Sequence, residues 1–321
     1  MSKVTNVLHR THETIESAYP LAASRGRKKM PLLVVGSLVG ILVGLVWAVP
    51  ALAAPTPATA PSLPTFFHQQ TDPRLAHTGT WTTVENSKAS GGSFAVTNKS
   101  GSTLTIRFVG SQLDWIAKKG PAYGEATVAV DSGTPVTVDL SSAKALWQQD
   151  VWSTGVLPTG THKVTIAWTG AKGADSTSTS INADAFLVTG RLLGLHEQTN
   201  ADLQYKGAWT TLYTKDASGA SLAYAGKSGA SVTIRFTGLQ LTWIAKTGPA
   251  LGIADVKVDG VDRGSVDLYS AGAAWKVPVW TTGVLADGAH TVTISWTGTK
   301  NAAATGTRID LDAVDIAGVL N

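Results

Sequence analysis

The chain carries the same module twice. Sliding the 321-residue sequence against itself by 128 positions brings His68 onto His196, and the match runs without a gap to Gly190 and Gly318. The densest block is TIRFVGSQLDWIAKKGPAYGEATVAVD at 105–131 against TIRFTGLQLTWIAKTGPALGIADVKVD at 233–259. Ten of the eleven tryptophans pair across the copies: 81 with 209, 115 with 243, 147 with 275, 152 with 280 and 168 with 296. A unit of about 125 residues exceeds the 20–50 of a solenoid repeat and matches a self-sufficient domain. The expected organisation is two modules, 68–190 and 196–321, each folding alone and joined by the short link Arg191–Leu195.

Within each module the hydrophobic period is two. Leu104, Ile106 and Phe108 fall on one face and Thr103, Thr105 and Arg107 on the other; Val232, Ile234 and Phe236 repeat the pattern in the second copy. Such alternation means strands with one buried and one wet face. Asp259-Gly260 reads as a hairpin turn, and Asp287-Gly288 opens a further strand. No stretch after residue 50 shows a helical period. About eight short strands per module predict an all-β chain of two tandem antiparallel jelly-roll β-sandwich domains.

The leading segments read as export signals. Residues 1–30 are basic, and Arg25-Gly-Arg-Lys-Lys29 precedes an apolar run across 31–50. Eighteen such residues in helix span about 27 Å, enough to cross a bilayer core. The cluster holds that end in the cytoplasm. Ala51-Leu52-Ala53 follows a proline and suits signal-peptidase cleavage after Ala53. A cleaved signal peptide and a retained transmembrane helix both remain open, and the membrane is a partner in the second case. Residues 51–67 form a Pro/Ala-rich spacer. The modules are thus expected outside the cell, secreted or on its surface.

Charge narrows the partners. The formal net charge of +4 is carried entirely by residues 1–31, with six basic and two acidic side chains; the remaining 290 residues hold 20 of each sign. A nucleic-acid binder needs its basic excess on the folded part, so nucleic acid is not an expected partner. The absence of cysteine excludes a disulfide framework, a thiol nucleophile and a Cys-based metal site.

No nucleophile elbow, zinc-protease pair or phosphate-cradling loop is present. His162 and His290 follow a turn and lack a nucleophile partner, so they read as strand-entry residues bonding turn carbonyls. His68 and His196 are single imidazoles, which do not make a metal site. Asp139/Asp267 and Asp184/Asp312 supply two carboxylates per module, read as acceptors for loop amides or helpers of a calcium site. The expectation is therefore no enzyme, with no catalytic and no metal residues.

The tryptophans point to a ligand. Trp115/Trp243 and Trp168/Trp296 stand in phase with core residues. Trp147 and Trp275 lie around a change of direction and read as non-strand, exposed platforms; Trp152 and Trp280 read as closing the sandwich ends. An indole face stacks on the C–H face of a pyranose. Lys118 and Lys246 precede Gly-Pro in a loop that also carries Tyr123 in the first copy, and Tyr269 is a further loop contact. The expected ligand-binding set is Trp147, Trp275, Tyr123, Tyr269, Lys118 and Lys246, and the expected partner a polysaccharide or cell-wall glycan. The alternative is a structural or adhesive cell-envelope protein with protein partners.

The run TIRFTG, WIAKTGP, ADVKVDG, VDLYS, VWTTGVLADGAHTVTISWTG and a closing Ile-x-Leu-Asp-Ala strand resembles galactose-binding-like jelly-roll modules of the carbohydrate-binding-module type, as a tandem pair in an exported actinobacterial-type protein. The resemblance covers both copies. It implies a sandwich fold and a tendency toward carbohydrate, and many members of that family hold a structural calcium. No motif here matches the family's ligand sites residue by residue.

Overall fold

The computed structural model describes residues 62–321, Asp175 excepted. The basic segment, the apolar run and most of the spacer lie outside the described residues. Among the described residues no helix is long and apolar enough to cross a membrane. The described residues are all-β, and every pairing between their strands is antiparallel.

One long strand is the spine of each repeat. Thr103–Lys119 pairs through its first half with Gly160–Trp168 and through its second with Leu146–Ser153 and with Ala185–Leu192. Ser231–Thr247 repeats this with Gly288–Trp296, Ala274–Thr281 and Ala313–Leu320. A three-stranded sheet accompanies each: Thr82–Glu85, Ser93–Thr97 and Ile181–Ala183 in the first repeat, Trp209–Tyr213, Ser221–Ala225 and Ile309–Leu311 in the second. The inward residues form two separate cores. Leu104, Ile106, Phe108 and Trp115 are fully buried in one, and Val232, Ile234, Phe236 and Trp243 in the other. Sequence periodicity anticipates short strands; the spines are instead 17 residues long. Each continues through an irregularity that the period-two pattern does not register.

That irregularity rests on paired glycines. The register between Thr103–Lys119 and Ala185–Glu197 shifts between Thr189 and Gly190. A Cβ on Gly110 would sit 2.2 Å from the Thr189 carbonyl oxygen, and one on Gly190 2.1 Å from that of Val109. Gly190 also has a φ of 134°, in the region that favours glycine. Gly238 and Gly318 recreate the contact in the second repeat, with 2.2 Å from a Gly318 Cβ to the Thr237 oxygen. An extra residue on one strand sharpens the bend of both, and only hydrogen fits between them.

Arg191–Leu195 is not a free link. These residues lie inside the continuous strand Ala185–Glu197, which pairs with the first repeat's spine and then, through Leu193–Glu197, with Ala313–Ala317 of the second. The sequence reading misses this because Gly190 and Gly194 look like breaks between two strands, whereas both lie inside one. Val109, Leu193, Leu239 and Ala317 form a third apolar cluster along this seam. Arg191 donates to both carboxylate oxygens of Asp287, at 3.0 and 2.8 Å, and Arg107 pairs with Asp315.

Replacing Gly190 with Ala places a methyl group against backbone that cannot move independently. The expected loss is about 3 kcal/mol or more, a melting temperature lower by roughly 6–12 °C. Gly272→Ala, where an added Cβ meets nothing within 4 Å, should melt like the wild type in the same calorimetric scan. Equal melting of the two variants would contradict the close-packing account.

Candidate functional site

Each repeat holds a cavity of about 300 Å³ at the same place. In the first it is bounded by Val84, Phe94, Val96, Lys118, Tyr123 and Trp147. In the second the corresponding residues are Leu212, Leu222, Tyr224, Lys246 and Leu251, with Arg308 in place of Ser180 and Asp310 added; Trp275, the counterpart of Trp147, does not line it. A concave, mostly apolar hollow with a few polar groups is the usual form of a small-ligand site.

The lysines enter these cavities from the last turn of pairing on the spines, not from a loop as the sequence suggests. Lys118 is held by Asn182: its N–H donates to Asn182 Oδ1 at 2.8 Å, and Asn182 Nδ2 donates back to the Lys118 carbonyl at 2.8 Å. The Lys118 ammonium then sits 4.0 Å from the centroid of Trp147, 5.4 Å from Tyr123 and 5.7 Å from Phe94. Three rings around one cation make a cation–π cage. Burial, with Lys88 nearby, lowers the Lys118 pKa. Burial also pushes the Tyr123 hydroxyl up to about 12, so it remains a hydrogen-bond donor across the physiological range.

Trp147 and Trp275 are half-buried and stand inside strands, Leu146–Ser153 and Ala274–Thr281. The expected non-strand setting is corrected. Its signal survives as a bulge, since the following residues, Gln148 and Lys276, have φ of 50° and 56°, and the pairing register shifts there. Trp275 carries the Lys246 ammonium at 4.2 Å. Thus Lys118, Tyr123 and Trp147 come together, as do Lys246 and Trp275. Tyr269 does not line either cavity; it follows the strand Val261–Asp267, and its N–H donates to Asp267.

Asp310 and Arg308 are the residues that inspection of either copy alone misses. Their counterparts are Asn182 and Ser180. The Lys246 N–H donates to Asp310 Oδ1 at 2.7 Å, and Asp310 Oδ2 is buried without a partner. Burial, and then repulsion from Asp312, push the Asp310 carboxyl up to about 7 against the opposing Lys246 N–H. Protonated, it presents a donor as Asn182 does. Comparing the copies at aligned positions is the signal that finds both residues.

The remaining candidates are structural. Trp115 and Trp243 are fully buried, whereas Trp152, Trp168, Trp280 and Trp296 are half-buried against the cores. His162 lies 2.8 Å from the Pro158 carbonyl and 2.9 Å from Asp131, and His290 lies 2.9 Å from both the Ala286 carbonyl and Asp259. His68 contacts Asp72. Asp139 and Asp267 accept loop amides, and Asp184 and Asp312 accept the N–H of Ser90 and Ser218. Glu197 accepts the Ser218 hydroxyl beside Asp312, but two carboxylates are few hard donors for calcium, which takes six to eight oxygens. Among the described residues no group of three or more His, Asp or Glu is placed to hold a metal ion.

No protein-family model matches the chain. It is similar to two curated proteins of Flavonifractor plautii. One is an A type blood alpha-D-galactosamine galactosaminidase, 25% identical over 225 residues, which are 69% of this chain and 20% of that protein. The other is an A type blood N-acetyl-alpha-D-galactosamine deacetylase, 33% identical over 98 residues, 30% of this chain and 13% of that protein. The chain thus spans a fifth or less of these relatives. Among solved structures, a xanthan lyase of Paenibacillus overlaps 83% of this chain and 28% of its own at 20% identity and a TM-score of 0.31. A family 35 carbohydrate binding module of Clostridium thermocellum overlaps 39% and 98% at 12% identity and a TM-score of 0.26. The two curated relatives correct one expectation: both are named as enzymes, so the exclusion of enzymatic function from missing motifs does not stand.

Asp310 binds a proton when folded that it releases when unfolded, where its pKa is about 3.9. Stability therefore falls as pH rises from about 4 to about 7. Asp310→Asn removes this titration and keeps the donor. Its expected advantage in thermal melting is small at pH 5 and grows to about 1–3 kcal/mol at pH 8. Parallel pH profiles of variant and wild type would contradict the buried-acid assignment.

Proposed function

We propose that the two cavities bind saccharide and that the chain takes part in glycan processing outside the cell or at its surface. The observation that carries this reading is the recurrence of one hollow, at one offset of 128 residues, with a lysine resting on a half-buried indole in both copies. Each hollow offers an apolar wall for a pyranose C–H face and a cation whose N–H groups reach hydroxyls. The similarity to proteins named for acting on galactosamine and N-acetylgalactosamine supports galacto-configured sugars as the first ligands to test. The ammonium of Lys118 disfavours a free amino sugar and suits the uncharged N-acetylated form.

A single aromatic contact contributes about 1–1.5 kcal/mol, so each cavity alone binds weakly. Two cavities engaging one polymer gain avidity. Retention of the full chain on immobilised galactose- and N-acetylgalactosamine-containing polysaccharides, beside Trp147→Ala, Trp275→Ala and the double variant, tests the reading. Each single change should weaken retention roughly tenfold, and the double change should abolish it. Equal retention of the folded double variant would contradict a role for these cavities. Assays for galactosaminide cleavage and for acetate release belong beside it, since both relatives are named as enzymes.

A further inference from the structure

The two cavities share a frame and differ in charge. Around Lys118 the first repeat places three rings, Phe94, Tyr123 and Trp147. In the second, Leu222 and Leu251 replace Phe94 and Tyr123, so Lys246 keeps Trp275 alone and its ammonium is less enclosed by π faces. Ser180 becomes Arg308, whose guanidinium lies 4.9 Å from the centroid of Tyr224. Tyr224 itself replaces Val96. Stacking on a ring holds a guanidinium by its face and leaves the edges, where the N–H donors are, for a ligand. Among the described residues neither Lys246 nor Arg308 has a side-chain ion-pair partner. Asp310 lines the same hollow, is 2% exposed and has an unpartnered Oδ2. The half-buried Lys246 and the exposed Arg308 thus face one hollow of about 300 Å³ with no acid paired to either, and the buried Asp310 Oδ2 beside them is costly unless a ligand completes it.

We propose that the second-repeat cavity favours an acidic saccharide, such as a uronic acid, over an uncharged one by seating its carboxylate on the Arg308 fork and the Lys246 ammonium, while the first-repeat cavity favours an uncharged sugar. This rests on the saccharide reading above and assigns the two cavities different ligands. A guanidinium matches a planar carboxylate with two parallel N–H bonds, which a lysine beside a serine, as in the first cavity, does not. In its protonated form Asp310 donates toward the same anion, whereas its ionised form repels it.

The test is calorimetric titration of the full chain with an oligogalacturonide, with the uncharged galactose oligosaccharide and with a sulfated one. The acidic sugar should bind at least tenfold more tightly than the uncharged one, and more weakly as salt rises. Arg308→Ser, which installs the first repeat's residue, should weaken the oligogalacturonide at least tenfold and the uncharged sugar by a clearly smaller factor. The salt dependence of the wild type gives the same answer if that variant fails to fold. Equal affinity for acidic and uncharged sugars, or an unaffected Arg308→Ser variant, would overturn this assignment while uncharged-sugar binding sensitive to Trp147→Ala leaves the broader reading in place. Sulfated sugar binding as tightly as the carboxylate would overturn the planar-fork assignment. Binding of no saccharide would overturn both.

Discussion

The structure depends on one strand that belongs to both repeats. Ala185–Glu197 hydrogen-bonds along the first spine and then, without a turn, along the second repeat's closing strand. Backbone pairing is directional and fixes register, so the sheets continue one another rather than hanging from a tether. The Leu193–Leu239 apolar seam and the Arg191–Asp287 and Arg107–Asp315 pairs reinforce the join. The glycine contacts at 110/190 and 238/318 let the paired strands bend at the same point in each repeat. For two weak sites this matters, because a fixed separation removes much of the entropy that a flexible linker would cost when both engage one polymer.

Duplication followed by local change explains the site better than either copy does alone. The frame is kept: a spine lysine, a partner residue on Ile181–Ala183 or Ile309–Leu311 clasping its backbone, and an indole on a bulged strand. What changes is the wall. Aromatic rings that enclose Lys118 become aliphatic around Lys246, and a serine and an asparagine become an arginine and an aspartate. A buried carboxyl is tolerated where an amide stood because burial raises its pKa to about 7, so that it is mostly protonated below neutral pH. That substitution exchanges a permanent donor for a titratable one.

Much of this was legible in the sequence. The 128-residue offset, the period-two faces and the Asp259-Gly260 turn, where Asp259 and Gly260 have φ of 50° and 80°, all follow from local chemistry. Lys118 and Tyr123 were legible together because they sit in the block most alike between the copies, and Trp147 was legible separately as an indole that recurs at 275. Three things were hidden. The Arg191–Leu195 strand was hidden because a short segment between Gly190 and Gly194 reads as a link, although both glycines lie within the strand. The in-strand position of Trp147 and Trp275 was hidden because a bulge imitates a turn. Tyr269 was misplaced because proximity in sequence to Val-Asp-Leu says nothing about which rim of the sheet the loop follows. The export segment lies outside the described residues. The exclusion of enzymatic function failed because missing motifs are weak grounds.

A crystal structure of the chain grown with a galactose-containing oligosaccharide tests the central claim most directly, since the claim is about place. The account predicts sugar rings seated in the two equivalent hollows, one against Lys118 and Trp147 and the other against Lys246 and Leu251. Saccharide bound at another surface, with both hollows empty at saturating ligand, would contradict it.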